Sequence, residues 1–200
     1  MVGTLVGDAQ TGIYSAAMTI ANLWIFIPNA LIDSARPLIM QLKADGKEAM
    51  YLKRSRQLYA GVIWLSIAAG IFFTVFFINV SKTIKEEYAY QYLKIVISLR
   101  RDFVEESVYG SDYAASVPVL MILIWSRLFS LIGTTRNIWM ICENQAKYVK
   151  WFVGLGAVIN VVLNFLMIPK IGACGAAIAT LITEFVASFL IVAVVKKTRG

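Results

Sequence analysis

Residues 172–195 read GACGAAIATLITEFVASFLIVAVV, an apolar run with a single ionisable side chain, Glu184, near its middle. A bilayer crossing takes about 20 largely apolar residues, so this run is long enough to span. An ionised carboxylate at that depth costs on the order of a few kcal/mol unless protein, water or a cation receives it. The helix is therefore expected to pack inside a bundle, with Glu184 turned away from lipid and the rest of the chain supplying its neighbours.

The composition agrees with that reading. Of the 200 residues, 59% are hydrophobic and 16% charged, with a mean hydropathy of +0.71, against about a quarter charged in ordinary soluble domains. The expected fold class is all-α, a polytopic membrane helix bundle. The chain has no His and two cysteines, Cys142 and Cys174, which excludes His general bases, Ser-His-Asp triads and most zinc sites. The two cysteines, lone and far apart, are expected to pack as small apolar residues rather than to form a disulfide. A net charge of +7 and a pI near 9.5 are compatible with nucleic acid in general, but the basic residues lie in short loops between apolar runs. That is membrane topology, and nucleic acid is not expected as a partner. Residues 1–12 lack the basic start and cleavage pattern of a signal peptide. No Gly-rich phosphate loop, HExxH, GxSxG or CxxC motif occurs, which leaves ATP hydrolysis and metal-assisted chemistry without a carrier. No enzymatic activity, cofactor or metal is expected.

Five runs satisfy the length criterion: 13–32, 58–80, 113–133, 151–169 and 172–195. Arg36, Lys43, Lys47, Lys53, Arg54 and Arg56 follow the first run, and Arg136, Lys147, Lys150, Lys196, Lys197 and Arg199 fall in the later loops of the same parity. Basic loops stay on the cytoplasmic side. In the 81–112 connector, acidic residues offset the basic ones, and Lys170 occupies a tight turn; both read as external. The expected arrangement is a multi-pass protein of the cytoplasmic (inner) membrane, amino end outside and carboxyl terminus cytoplasmic. An odd number of spans starting outside, without a signal sequence, further predicts a chain truncated at its amino end. Within the connector, Tyr88, Tyr92, Ile95, Val96 and Leu99 recur every three or four residues, as in an amphipathic interfacial helix.

Polar positions inside the runs mark candidate functional residues. The first run holds Asn22, Pro28, Asn29 and Asp33; Pro28 removes a helical hydrogen bond and predicts a kink, which suits either a cavity wall or hinge, or a proline tolerated by its neighbours. The second run contains no ionisable residue and is assigned to packing and lipid contact. Arg127 in the third has two readings, snorkelling to the interface or facing a cavity as an anion site with Ser126, Ser130 and Thr134 nearby. In the fourth, Gly156, Asn160 and Asn164 align on one face. In the fifth, Gly172, Ala176 and Thr180, and likewise Gly175, Ala179 and Thr183, form small-residue ridges that permit close helix approach. The candidate cavity-lining set is Arg127, Glu184, Asn22, Asp33, Asn160 and Asn164. Isolated ionisable residues at membrane depth are the means by which secondary transporters bind anions and couple ions.

Four strings carry a resemblance: GDAQTGIYSAAMTIANLWIFIPNAL (7–31), YGSDYAASVPVLMILIW (109–125), ICENQAKYVKWFVGLGAVINVVLNFLMIPKIGACGAAIATLITEFVA (141–187) and the closing KKTR. They resemble the polysaccharide exporters of the MOP superfamily, the Wzx-type O-antigen flippases, over nearly the whole chain, in the order of the carboxyl-terminal half of such proteins. The segment around Lys82 to Glu106 departs from the family, whose connection there is shorter. The resemblance implies one lobe of a two-lobed transporter and an undecaprenyl-diphosphate-linked oligosaccharide as cargo, moved between leaflets by ion-coupled alternating access. It implies as partners membrane lipids, a missing amino-terminal lobe, and a glycan polymerase with its chain-length regulator. On that reading Arg127 is the cargo-facing cation, and Glu184 its partner or a protonation site. Export of a drug or peptidoglycan precursor by another branch of the superfamily, and a nontransporting scaffold of a glycan assembly complex, remain open.

Overall fold

The structure is a computed structural model that describes residues 1–83 and 112–194, with side chains described for residues 1–79 and 116–189. The interfacial helix expected around Tyr88 to Leu99, and Lys196, Lys197 and Arg199, lie outside the described residues. Every element among those described is a helix: α1 (Val2–Val6), α2 (Asp8–Leu23), α3 (Phe26–Ala44), α4 (Glu48–Thr83), α5 (Asp112–Cys142) and α6 (Ala146–Val194). Three of them, α4, α5 and α6, are long and apolar enough to cross a membrane, or four spans if the bent α2–α3 pair acts as one.

The bend between α2 and α3 is 45°, and its cause lies four residues downstream. Pro28 has no N–H to offer the Trp24 carbonyl, and its ring crowds that carbonyl. The Ile27 amide takes the acceptor instead at 3.4 Å, and regular bonding resumes with Asn29 to Ile25 at 3.0 Å. The kink expected within the first run thus falls at Trp24 and Ile25. Beyond it α3 continues to Ala44, twelve residues past the expected end of the run, as an amphipathic helix burying Pro28, Ile32, Ile39 and Leu42.

α4 presents one narrow seam to the protein: Tyr51, Ser55, Leu58, Val62, Ser66, Gly70 and Phe77 are buried, a three-and-four spacing that keeps them on one side. A Cβ on Gly70 would meet the Trp125 ring at 3.4 Å, and the Trp125 indole donates to Thr74 at 3.2 Å. The other faces carry exposed Trp64, Ile71, Phe72, Val75 and Phe76. A surface this apolar suits lipid rather than water.

α5 is the hub, packing against α2, α3, α4 and α6. Its expected end at residue 133 is corrected: the helix runs on to Cys142, because Ile138 to Cys142 is again apolar and no breaker intervenes. This brings Arg136, expected in a cytoplasmic loop, into the helix, where it is 9% exposed. Two core clusters flank α5. One joins Ala17, Ala21, Phe77, Leu120, Leu123, Ala173 and Ala177; the other joins Trp24, Ile32, Leu42, Tyr51, Val62 and Leu131.

Although its helical bonding is nearly continuous, α6 is a hairpin. Ile171 (φ −135°, ψ 19°) and Gly172 (φ 57°, ψ −136°) leave helical geometry, and the two halves then run side by side. A Cβ on Gly156 would lie 3.6 Å from that of Ala187, and Asn160 bonds to Thr183 at 3.4 Å. The reversal falls in the expected tight turn at Lys170. The two small-residue ridges serve different neighbours. Gly175 approaches Met167, where a Cβ would stand 2.5 Å from the carbonyl oxygen, and Thr183 meets Asn160, so this ridge closes the hairpin. On the other ridge the Gln10 side chain of α2 accepts from the Ala173 amide at 3.0 Å, capping the second half-helix, and Tyr14 reaches Thr180 at 3.4 Å. That ridge docks α2.

Candidate functional site: a polar cluster between α2, α5 and α6

The ridge that docks α2 runs one turn further, from Thr180 to Glu184, and there meets α5. There Ser130 and the Glu184 carboxylate come close enough to interact. Arg127, almost one turn away on α5, is 9% exposed and places Nη2 2.7 Å from the Met18 sulfur of α2. The opposite charges of Arg127 and Glu184 attract each other. They do not form a direct ion pair within 4.0 Å. The Arg127 Nε is buried with no hydrogen-bond partner. A thioether is a weak acceptor, so this guanidinium keeps donors in reserve, and a planar guanidinium is the side chain best shaped for bidentate recognition of phosphate or carboxylate.

The full length of α5 places Arg127 well inside the helix. In the apolar segment Ser116–Cys142, Arg127 falls near the middle. A helix rises about 1.5 Å per residue, so Arg127 stands roughly 16 Å from one end of the segment and roughly 22 Å from the other. Snorkelling covers only a turn or two. The side chain instead turns inward, to Met18.

The other candidates lie elsewhere. Asn164 Nδ2 donates to Asn160 Oδ1 at 2.8 Å, and Asn160 Nδ2 to Thr183 at 3.4 Å, a chain inside the α6 hairpin whose Asn164 Oδ1 is buried without a partner. Asn22 is exposed on α2. Asp33 is exposed on α3 and pairs with Arg36 at 3.0 Å. The structure thus brings Arg127 and Glu184 together, sets Asn160 and Asn164 one helix face away, and leaves Asn22 and Asp33 on outer surfaces.

Three contributors escaped sequence reasoning. Tyr14 and Met18 were readable only as an i, i+4 pair beside Ala17 and Ala21, and nothing apart from the α2–α6 contact distinguishes them from packing residues. Arg136 is the third. It donates through Nη1 to the carbonyls of Ala187 and Ser188, and Ser188 donates in turn to the Phe129 carbonyl at 2.6 Å. The apolar residues following it were the signal that it sits inside a helix.

At the loop end of the bundle a second charged group ties three segments together. Lys43 bonds Glu143 at 2.7 Å and Glu48 at 3.1 Å, lies over the Tyr51 ring, and shares Glu143 with the Tyr51 hydroxyl at 3.2 Å. The Glu143 carboxylate raises the Lys43 pKa above its ordinary value. This clasp joins the end of α3, the start of α4 and the α5–α6 turn.

Fold and site together define a chain that is helical throughout its described residues, with several membrane-length apolar helices and a buried arginine near a half-buried carboxylate among them. Comparison with protein-family models, with curated proteins and with solved structures found no match in any of the three.

Proposed function

We propose that this chain is a transporter lobe that crosses the membrane five times and moves an undecaprenyl-diphosphate-linked oligosaccharide between the leaflets of the cytoplasmic membrane. The bent α2–α3 pair, α4 and α5 supply three crossings. The α6 hairpin supplies two, since an unbroken helix over the 44 residues of its apolar segment would be about 66 Å long, twice the roughly 30 Å hydrocarbon core. The observation that carries the proposal is the buried Arg127 with donors in reserve, near Glu184 and near the middle of the apolar stretch of α5. A diphosphate passing this point would take those donors. Loading or releasing it changes the field at Glu184, which is the coupling that ion-driven exchange requires. The resemblance of residues 7–31, 109–125 and 141–187 to Wzx-type exporters supplies the cargo class.

The test replaces Arg127→Ala and Glu184→Gln, singly, at the chromosomal locus, and measures surface polysaccharide alongside the amount of protein in the membrane fraction. The expected result is reduced polysaccharide at unchanged membrane abundance for each. Normal polysaccharide in both variants would reject the site. Accumulation of the lipid-linked intermediate inside the cell distinguishes failed translocation from failed synthesis.

A further inference from the structure

A shallow, open groove of about 820 Å³ runs along one face of a single helix, the first half of α6, between the side chains of Lys147, Lys150, Trp151, Gly154, Leu155 and Val158. The lining divides by chemistry. Lys147 sits in the first turn and Lys150 at the start of the second, Trp151 follows, and the rest is apolar. Trp151 is 79% exposed and Val158 61%, so neither is packed against the bundle. Gly154 has nothing within 4 Å of where its Cβ would be, and the missing side chain keeps the groove open.

The basic end carries uncompensated charge. The first turn of α6 holds no acidic residue, and a helix start already bears partial positive charge from its free amides. Two lysines there add to it. The neighbouring carboxylate, Glu143, is engaged by Lys43 and Tyr51. Neither Lys147 nor Lys150 takes part in any of the ion pairs found among the described residues, and Lys147 lies over the Tyr148 ring at 5.2 Å.

We infer that this groove holds one anionic phospholipid, its phosphate against Lys147 and Lys150 and an acyl chain along Gly154, Leu155 and Val158. Charge complementarity selects an anionic headgroup. Trp151 stands where an indole marks the boundary between headgroups and tails. The site faces outward, on a helix face away from the Arg127 cluster, and its existence does not depend on what that cluster transports.

Native mass spectrometry of the full chain in detergent, titrated with phosphatidylglycerol or phosphatidylcholine, tests the inference. The wild type is expected to retain phosphatidylglycerol preferentially. A lysine near an anionic surface contributes about fivefold in affinity, so Lys147→Gln with Lys150→Gln should lower phosphatidylglycerol retention by at least about that factor and leave phosphatidylcholine unchanged. Gly154→Leu, which fills the groove without altering charge, should lower it as well. Lys53→Gln with Arg54→Gln, an exposed basic pair on α4, should not. Equal losses from the α4 pair would show that only net charge matters and overturn the site. So would full retention by Gly154→Leu, or displacement of the lipid by millimolar inorganic phosphate.

Discussion

The hairpin in α6 makes a prediction that separates it sharply from a continuous helix. Ideal Cβ positions at 156 and 187 lie 3.6 Å apart, inside the window of roughly 3.5–4.5 Å that a disulfide bridges without moving the backbone. In an unbroken helix the same residues would stand about 46 Å apart. The pair Gly156→Cys with Ala187→Cys, in a background where the two free cysteines Cys142 and Cys174 are serine, is therefore expected to cross-link almost completely under mild oxidation. Lys170 lies exposed at the turn, so cleavage there divides the chain between the new cysteines. On a denaturing gel the fragments should remain joined until reductant is added. The control pair Gly154→Cys with Ala187→Cys should cross-link poorly, because position 154 points into open space. Fragments that separate without reductant, or equal cross-linking of both pairs, would refute the hairpin and with it the two crossings assigned to α6.

Gly175→Ala should destabilise the bundle by about 1–3 kcal/mol through overpacking, since its Cβ would sit 2.5 Å from the Met167 carbonyl oxygen; Gly154→Ala should be neutral or stabilising by up to about 1 kcal/mol, both read from unfolding in mixed micelles. Arg136→Gln should lower stability by about 1–3 kcal/mol, because the buried carbonyl contacts with Ala187 and Ser188 lose a charged donor; unchanged unfolding would show that those contacts are dispensable. The Lys43 pKa is raised in the folded state, so its stabilising contribution is complete below its ordinary value of 10.5 and disappears as pH rises through the folded value. The thermal-stability gap between wild type and Glu143→Gln should accordingly be constant at neutral pH and close above about pH 10.5.

Hydropathy and turn chemistry made much of the fold legible. The Pro169-Lys170-Ile171-Gly172 turn between two apolar runs predicts a reversal, and the two glycine-led ridges predict close packing on two sides of the last helix. What one-dimensional reading could not supply was facing. A helix that is apolar nearly all round has no dominant hydrophobic side, so nothing along α5 says which neighbour Arg127 or Arg136 meets. Helix ends were obscured for a related reason. Arg136 resembles the start of a loop because a charge follows Gly133, Thr134 and Thr135, yet its guanidinium is received by carbonyls of a helix more than 50 residues away. The proline kink was legible in kind and displaced in position, since the distortion falls on the carbonyl that Pro28 fails to satisfy rather than on Pro28 itself.

The two buried arginines of α5 differ in the quality of their partners. Both are 9% exposed, and both bury an Nε without a partner. Arg136 spends its terminal nitrogens on the Ala187 and Ser188 carbonyls and on Asn137, acceptors that are good, fixed and part of the backbone or its immediate neighbour. Removing it would free carbonyls and loosen the contact between α5 and α6. Arg127 has a thioether in contact and a carboxylate with which it makes no direct ion pair. For a buried cation that is a poor set of partners, and burial without good partners is expensive. The proposed function accounts for such a charge, because an arriving anion would supply the partners that the fold withholds. Under the proposed function, Glu184 is the group that would sense an anion at Arg127, since no ion pair between the two has first to be broken.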